Sequence, residues 1–113
     1  METPAIYQEM TAADNLRAQA RLLGLGDLDD ITDLLRLVGL ADTGKKKAKH
    51  FSLGMKQRLG IAVALVGAPE LLVLDEPING LDPQGIIEMR ELILKLNRER
   101  GITVLISAIF LMS

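Results

Sequence analysis

The chain contains no cysteine. Disulfides and thiolate metal sites are therefore excluded, which fits a reducing compartment. Aromatics make up only 3% of its 113 residues, so Leu, Ile, Val and Ala must fill the core that a 49% hydrophobic content provides. No charge sign dominates. The formal net charge is −2, which argues against a dedicated nucleic-acid binder. The one basic cluster, Lys45-Lys46-Lys47-Ala48-Lys49, is short and reads as a solvated loop. No long apolar run is present either. The longest mostly apolar stretch, Ile102 to Met112, falls short of the roughly 20 residues a transmembrane helix needs. The start, Met1-Glu2-Thr3-Pro4, is acidic and polar where a secretion signal is basic and then apolar. Any membrane role is expected to run through a partner. At this length the chain reads as one small domain or a piece of a larger one.

Hydrophobic spacing gives a helical half followed by a strand-helix-strand half. Residues 12–23 are predicted as a helix with Thr11 as N-cap, Gly24 as stop, and Ala13, Leu16, Ala20 and Leu23 as its apolar face. Residues 29–38 form a second helix, with Ile31, Leu34, Leu35 and Val38 at i, i+3, i+4, i+7 spacing and Gly39 at its end. Residues 40–50 read as a loop. A third helix runs from about Gly54 to Val66, with Ser52 near its N-cap, and Gly67-Ala68-Pro69 breaks it. Residues 71–75 are a continuous apolar run of strand length, expected to be buried on both faces. A turn over Ile78 to Pro83 leads to an amphipathic helix at 84–99 on Ile86, Met89, Ile93 and Leu96. Residues 102–107 form a second buried strand. The second half is thus one parallel βαβ unit, and the class is α/β.

Two motifs carry chemistry. The strand Leu71-Leu72-Val73-Leu74 closes on Asp75-Glu76-Pro77, and Asn79-Gly80-Leu81-Asp82 follows. One acid at a strand end is ordinary polarity. Two acids in this context can hold Mg²⁺ and set a base beside it. The second motif is Phe51-Ser52-Leu53-Gly54-Met55-Lys56-Gln57-Arg58. A short hydroxyl, a glycine that bares its backbone N–H, and a helix N-terminus can together grip a phosphate. Alone, a Ser-x-Gly before a helix is weak evidence. Followed by Lys-Gln-Arg-Leu and then the acidic strand end, it is strong.

In this order the two motifs resemble the signature motif, the Walker B motif and the D-loop of ABC transporter ATP-binding subunits. Ser-Leu-Gly-Met-Lys-Gln-Arg-Leu is similar to the variant in antibiotic-export and lantibiotic-immunity types. The departures from Leu-Ser-Gly-Gly-Gln are Phe51, Leu53 and Met55. The resemblance implies a helical signature subdomain over 1–66, opening on the end of a Q-loop. It implies the Walker B half of a P-loop NTPase core, incomplete, over 67–113. Asp75 would orient Mg²⁺ through a water. Glu76 would be the catalytic base. Ser52, Leu53 and Gly54 would meet the γ-phosphate of ATP, and Asp82 would contact a partner across an ATP sandwich or cap the helix behind it. Glu2 would stand where the Q-loop glutamine usually stands. Residues 5–15 would lie near a permease, with Tyr7 and Met10 as apolar contacts. Arg58 would brace its helix rather than touch nucleotide. The implied cofactors are ATP and Mg²⁺. The implied partners are a transmembrane permease and a second ATP-binding subunit, at the cytoplasmic face of a membrane. The implied function is ATP-driven export of a drug or peptide.

Two family features are missing. No Gly-x-x-x-x-Gly-Lys-Ser/Thr phosphate loop occurs in the sequence, so the isolated chain is expected to be inactive. Ile109 sits where the family has a histidine that contacts the γ-phosphate, and Ile has no proton to give. His50, the only histidine, reads as a surface loop residue. A one-nucleotide slip near codon 108 would turn Ser-His-Ile-Leu into Ala-Ile-Phe-Leu, and sequencing the gene there decides it. A non-catalytic helical module that docks on a permease or ATPase is the rival from another class. An ABC ATPase outside transport is a third, and nothing in the sequence supports it. The strand edge at 102–111 is expected to drive self-association, with Val104 and Ile106 as the residues to replace.

Overall fold

The computed structural model describes residues 6–25, 31–75 and 77–107, with Asp75 and Ser107 described by backbone alone. Four helices and two strands follow in the order α1 (Ala12–Leu22), α2 (Ile31–Leu37), α3 (Leu53–Leu65), β1 (Leu71–Asp75), α4 (Pro83–Arg100) and β2 (Thr103–Ser107). A short 3₁₀ turn, Ala48–His50, precedes α3. Each predicted element is present within a residue or two, apart from residues 29 and 30, which lie outside the described set.

Helix starts follow side-chain chemistry. Thr11 and Ser52 each accept a hydrogen bond from the backbone N–H three residues on, at 3.1 Å in both cases. These bonds satisfy donors that a helix's first turn otherwise leaves without partners. Helix α4 ends at Gly101, whose φ of 64° is left-handed backbone that glycine adopts without a steric penalty.

Helix α3 is the hub. Leu59, Gly60, Ile61, Ala62, Val63 and Leu65 are all buried, so it is enclosed nearly all round. Helices α1, α2 and α4 all pack against it. Burial in α2 falls on Ile31, Leu34, Leu35 and Val38, as the spacing predicts. The face of α1 differs. Ala12, Asn15, Leu16 and Ala20 are buried, Ala13 is half-buried and Leu23 is 48% exposed. Leu23 is the C-cap residue, beyond the last full turn, so it leaves the stripe. In α4, Leu92 replaces Ile93 as the fully buried partner of Met89 and Leu96.

Asn15 is the one buried polar side chain among the described residues. Its Oδ1 accepts from the Tyr7 N–H at 2.7 Å, and its Nδ2 donates to the Tyr7 and Thr11 carbonyls at 3.1 and 2.9 Å. One amide thus holds a whole turn of backbone. Without that side chain the Tyr7 N–H would lose its acceptor, while the Tyr7 and Thr11 carbonyls would keep the N–H groups of residues 10 and 15.

Strands β1 and β2 pair in parallel, with Leu71 opposite Thr103 and Asp75 opposite Ser107. The expected parallel βαβ unit is therefore present. Burial on both faces is not. Leu72 and Leu74 turn to the core, while Leu71 is 50% and Leu105 53% exposed. Val104 packs against the core as well. Helix α4 packs on β2, and the exposure of Leu71, Leu105 and Ile106 leaves apolar surface of the pair open. Of the two residues expected to drive association, Ile106 is exposed as expected and Val104 needs correcting, since it packs against the core; Leu71 and Leu105 are exposed beside Ile106. The buried residues of both halves form one contiguous cluster that runs from Ala12 to Ile102.

Candidate functional site

Two capped helix starts meet at one cavity. Ser52 opens α3, and Asp82 opens α4 with its carboxylate accepting from the Gly85 N–H at 2.8 Å. The cavity between them holds about 340 Å³ and is lined by Ser52, Leu53, Gly54, Leu81, Asp82 and Gly85, among others. Both motifs singled out in the sequence thus reach the same place.

Contacts between the two walls are close. A Cβ built on Gly80 would sit 3.0 Å from Leu53 Cδ2, and Gly80 also has a φ of 83°. Only glycine fits that turn without strain. A Cβ on Gly54 would meet Leu81 Cδ2 at 3.5 Å, an ordinary contact. Leu53 therefore leans onto the turn after β1. Gln57 Nε2 donates to the Asn79 carbonyl at 3.4 Å, a second link between α3 and the same turn. These pairings join residues more than 20 positions apart, so no short window of sequence reveals them.

Arg58 is braced on both sides. Its Nε donates to the Gly54 carbonyl at 3.3 Å, and a terminal nitrogen donates to the Val38 carbonyl at 3.2 Å. The second bond caps the C-terminal end of α2, where Gly39 leaves room: a Cβ there would lie 2.8 Å from that nitrogen. Arg58 ties α2 to the start of α3. A larger hollow of about 550 Å³ lies behind it, between α2 and the outer side of α4, lined by Val38, Gly39, Leu92 and Lys95 among others. Apart from Arg58, which lines both, it holds none of the residues singled out in the sequence.

The N–H groups of Leu53 and Gly54 have no acceptor among the described residues. Ser52 Oγ uses a lone pair on Met55 but keeps its own proton to donate. Two unpaired N–H groups and one hydroxyl at a helix N-terminus form a donor set that suits a phosphate oxygen. For a divalent cation the described residues say less. No three His, Cys, Asp or Glu side chains converge among them. Asp75 is placed by its backbone at the end of β1, and Glu76, Glu2 and Ile109 lie outside the described residues. His50 is exposed in the 3₁₀ turn. No helix among the described residues is long and apolar enough to cross a membrane.

Comparison with known proteins agrees with the motifs. The family model described as ABC transporter matches residues 1–79. A bacitracin transport ATP-binding protein, BcrA of Bacillus licheniformis, is 53% identical over 108 residues, which is 96% of this chain and 35% of the relative. A lantibiotic transport ATP-binding protein, SrtF of Streptococcus pyogenes, is 48% identical over the same share of this chain and 46% of its own length. The chain thus spans between a third and a half of the length of these two relatives. Among solved structures, the ADP conformation of the ATP-binding cassette MJ1267 superposes with a TM-score of 0.79 at 25% identity, over 93% of this chain and 47% of that one. The cassette cbiO1 of Clostridium perfringens superposes with a TM-score of 0.78 at 29% identity, over 91% of this chain and 42% of that one. The helices and the parallel strand pair are part of a P-loop NTPase core, and the chain belongs to the ABC transporter family.

Proposed function

We propose that the chain supplies the signature and Walker B portion of an ATP-binding subunit that couples ATP binding and hydrolysis to export of a drug or peptide through a membrane permease. The observation that carries this is the meeting of the Ser52 and Asp82 helix starts at one cavity, whose lining includes Leu53 and Gly54 with their unpaired N–H groups. The names of the bacitracin and lantibiotic relatives support the choice of cargo class.

In this reading Ser52 donates its hydroxyl proton to a γ-phosphate oxygen while Leu53 and Gly54 present their N–H groups. Leu53 keeps its side chain out of the way by lying on Gly80. Asp75 would hold Mg²⁺, and Glu76 would act as the base toward the attacking water. Bound Mg²⁺ supplies neutralisation of charge on the β- and γ-phosphates. Asp82 would meet the second ATP-binding subunit, and Glu2 would serve in place of the Q-loop glutamine. Residues 1–66 form the signature subdomain and 67–113 the Walker B half. The assembly sits peripherally on the inner face of the cell membrane, against its permease.

The test is a cassette assembled from this chain and the remainder of a full-length relative. Glu76→Gln is expected to trap ATP between two subunits, because the base is lost while phosphate contacts remain. Ser52→Arg is expected to block that closure by placing bulk and charge in the phosphate seat. Hydrolysis by both variants at the parent rate would overturn the assignment.

A further inference from the structure

The three asparagines of the chain sit in different circumstances. Asn15 is buried, and its amide bonds to the backbone of Tyr7 and Thr11. Asn97 lies in α4 and donates to the Ile102 carbonyl at 3.1 Å. Leu16 and Arg98, which follow them, carry side chains and stand within helices, where the backbone N–H serves the helix ladder. Asn79 is exposed, and its side-chain amide has no hydrogen-bond partner among the described residues. It is also the only asparagine followed by glycine.

Gly80 completes the arrangement. Leu81 N–H donates to the Ile78 carbonyl at 3.2 Å, closing a turn with Asn79 and Gly80 at its two central positions. That bond uses neither the Gly80 N–H nor the Asn79 side chain. The Gly80 N–H has no acceptor among the described residues. Glycine has no Cβ to shield its own nitrogen from the carbonyl carbon of the preceding side chain. The tie from α3, Gln57 Nε2 to the Asn79 backbone carbonyl, is long at 3.4 Å and leaves the Asn79 side chain free to turn.

We propose that Asn79 is a site of spontaneous deamidation, with water as the co-reactant. The deprotonated Gly80 nitrogen attacks Asn79 Cγ. A new C–N bond closes a five-membered imide, the Cγ–Nδ2 bond breaks, and Nδ2 leaves as ammonia, taking up the proton that the Gly80 nitrogen lost. Water then opens the imide. Opening at the side-chain carbonyl gives aspartate, and opening at the backbone carbonyl gives isoaspartate, in which the main chain runs through Cβ and Cγ. Nothing is oxidised or reduced. Either product adds one negative charge to a chain that carries −2. Isoaspartate also lengthens the main chain by a methylene just before Gly80, where even a Cβ would lie 3.0 Å from Leu53 Cδ2. Gly80 lines the cavity between Ser52 and Asp82, so the change falls on the wall of the candidate site. Its effect on phosphate binding rests on the nucleotide reading. The modification does not, and its test contains no nucleotide.

The chain is aged in solution at neutral and at mildly alkaline pH and then cut with trypsin. The peptide Leu59 to Arg90 carries Asn79 and no other asparagine. Fragment mass spectrometry is expected to show a gain of about one dalton at residue 79, as an amide nitrogen gives way to a carboxylate oxygen. An isoaspartyl methyltransferase should label the same peptide. The rate should rise with pH, because the attacking nitrogen must lose its proton. Asn79→Ser should abolish both signals, and Asn15 and Asn97 should stay unchanged. No gain at residue 79, over an interval in which a synthetic peptide of residues 77–83 deamidates, would show that the fold blocks the attack and overturn the proposal. An equal gain at Asn15 or Asn97 would also overturn it, since the reaction would then follow unfolding rather than the exposed turn.

Discussion

Helices α1 to α3 and the strand pair β1–β2 draw on the same residue types but end in different circumstances. In the helical region Leu16, Leu34 and Leu59 are at most 1% exposed. In the strand pair Leu71 and Leu105 remain half exposed. The difference is geometric. A helix has one apolar stripe, and three helices can turn their stripes toward each other. A parallel strand has two faces and an edge, and parallel sheets are found almost only with both faces covered. Here α4 packs on β2, and Leu71, Leu105 and Ile106 stay exposed. The helical region satisfies itself locally. The strand pair is built for neighbours outside the described chain.

The sharpest way to break this contrast is a pair of deletions. Leu59→Ala, at a fully buried position, should destabilise by about 2–5 kcal/mol. Leu105→Ala on the open face should cost within about 0.5 kcal/mol. Denaturant titration of both measures the gap. Similar losses would mean that the sheet face is covered in solution.

Next in size is the amide clamp. Asn15→Leu should cost about 1–3 kcal/mol, because the Tyr7 N–H loses its acceptor. A change in midpoint smaller than the error of the titration would show that water replaces the side chain.

The open face also predicts association. Leu71→Lys together with Leu105→Lys should lower the sedimenting mass at a fixed concentration, since charge on a sheet face and edge opposes pairing. An unmodified chain that sediments as a monomer at high micromolar concentration would remove the premise.

The smallest effect concerns Ala68, which follows α3 with a φ of 52°. Left-handed backbone costs a non-glycine residue about 1–2 kcal/mol. Ala68→Gly should therefore raise the melting temperature modestly, the gain in backbone fit being partly offset by unfolded-chain entropy. A fall in melting temperature would show that Ala68 is not strained.

The sequence was most readable where structure depends on near neighbours. Ser52 and Asp82 cap their helices through bonds to residues three positions on, so their roles show in a short window. The stripe of α2 was equally plain. Asn15 was hidden, because a polar residue on an apolar face looks like a break in the pattern until its partners at Tyr7 and Thr11 are known. Leu53 against Gly80 and Arg58 against Gly39 were hidden for the same reason. The phase error in α1 arose from counting Leu23 as part of a helix it only terminates. Burial of both strand faces failed because an apolar run reports the cover a strand needs, not the cover at hand.

The parallel pairing has one consequence in time. Strand β1 is synthesised well before β2, and α4 lies between them. Chains emerge from the N-terminus and local contacts form first. Helices α1 to α3 can therefore close while Leu71 to Leu74 are still without a partner strand. Until Thr103 to Ser107 emerge and align, the acidic end of β1 is carried on an unpaired segment. The residues on which the proposed chemistry depends are then among the last to be fixed in place.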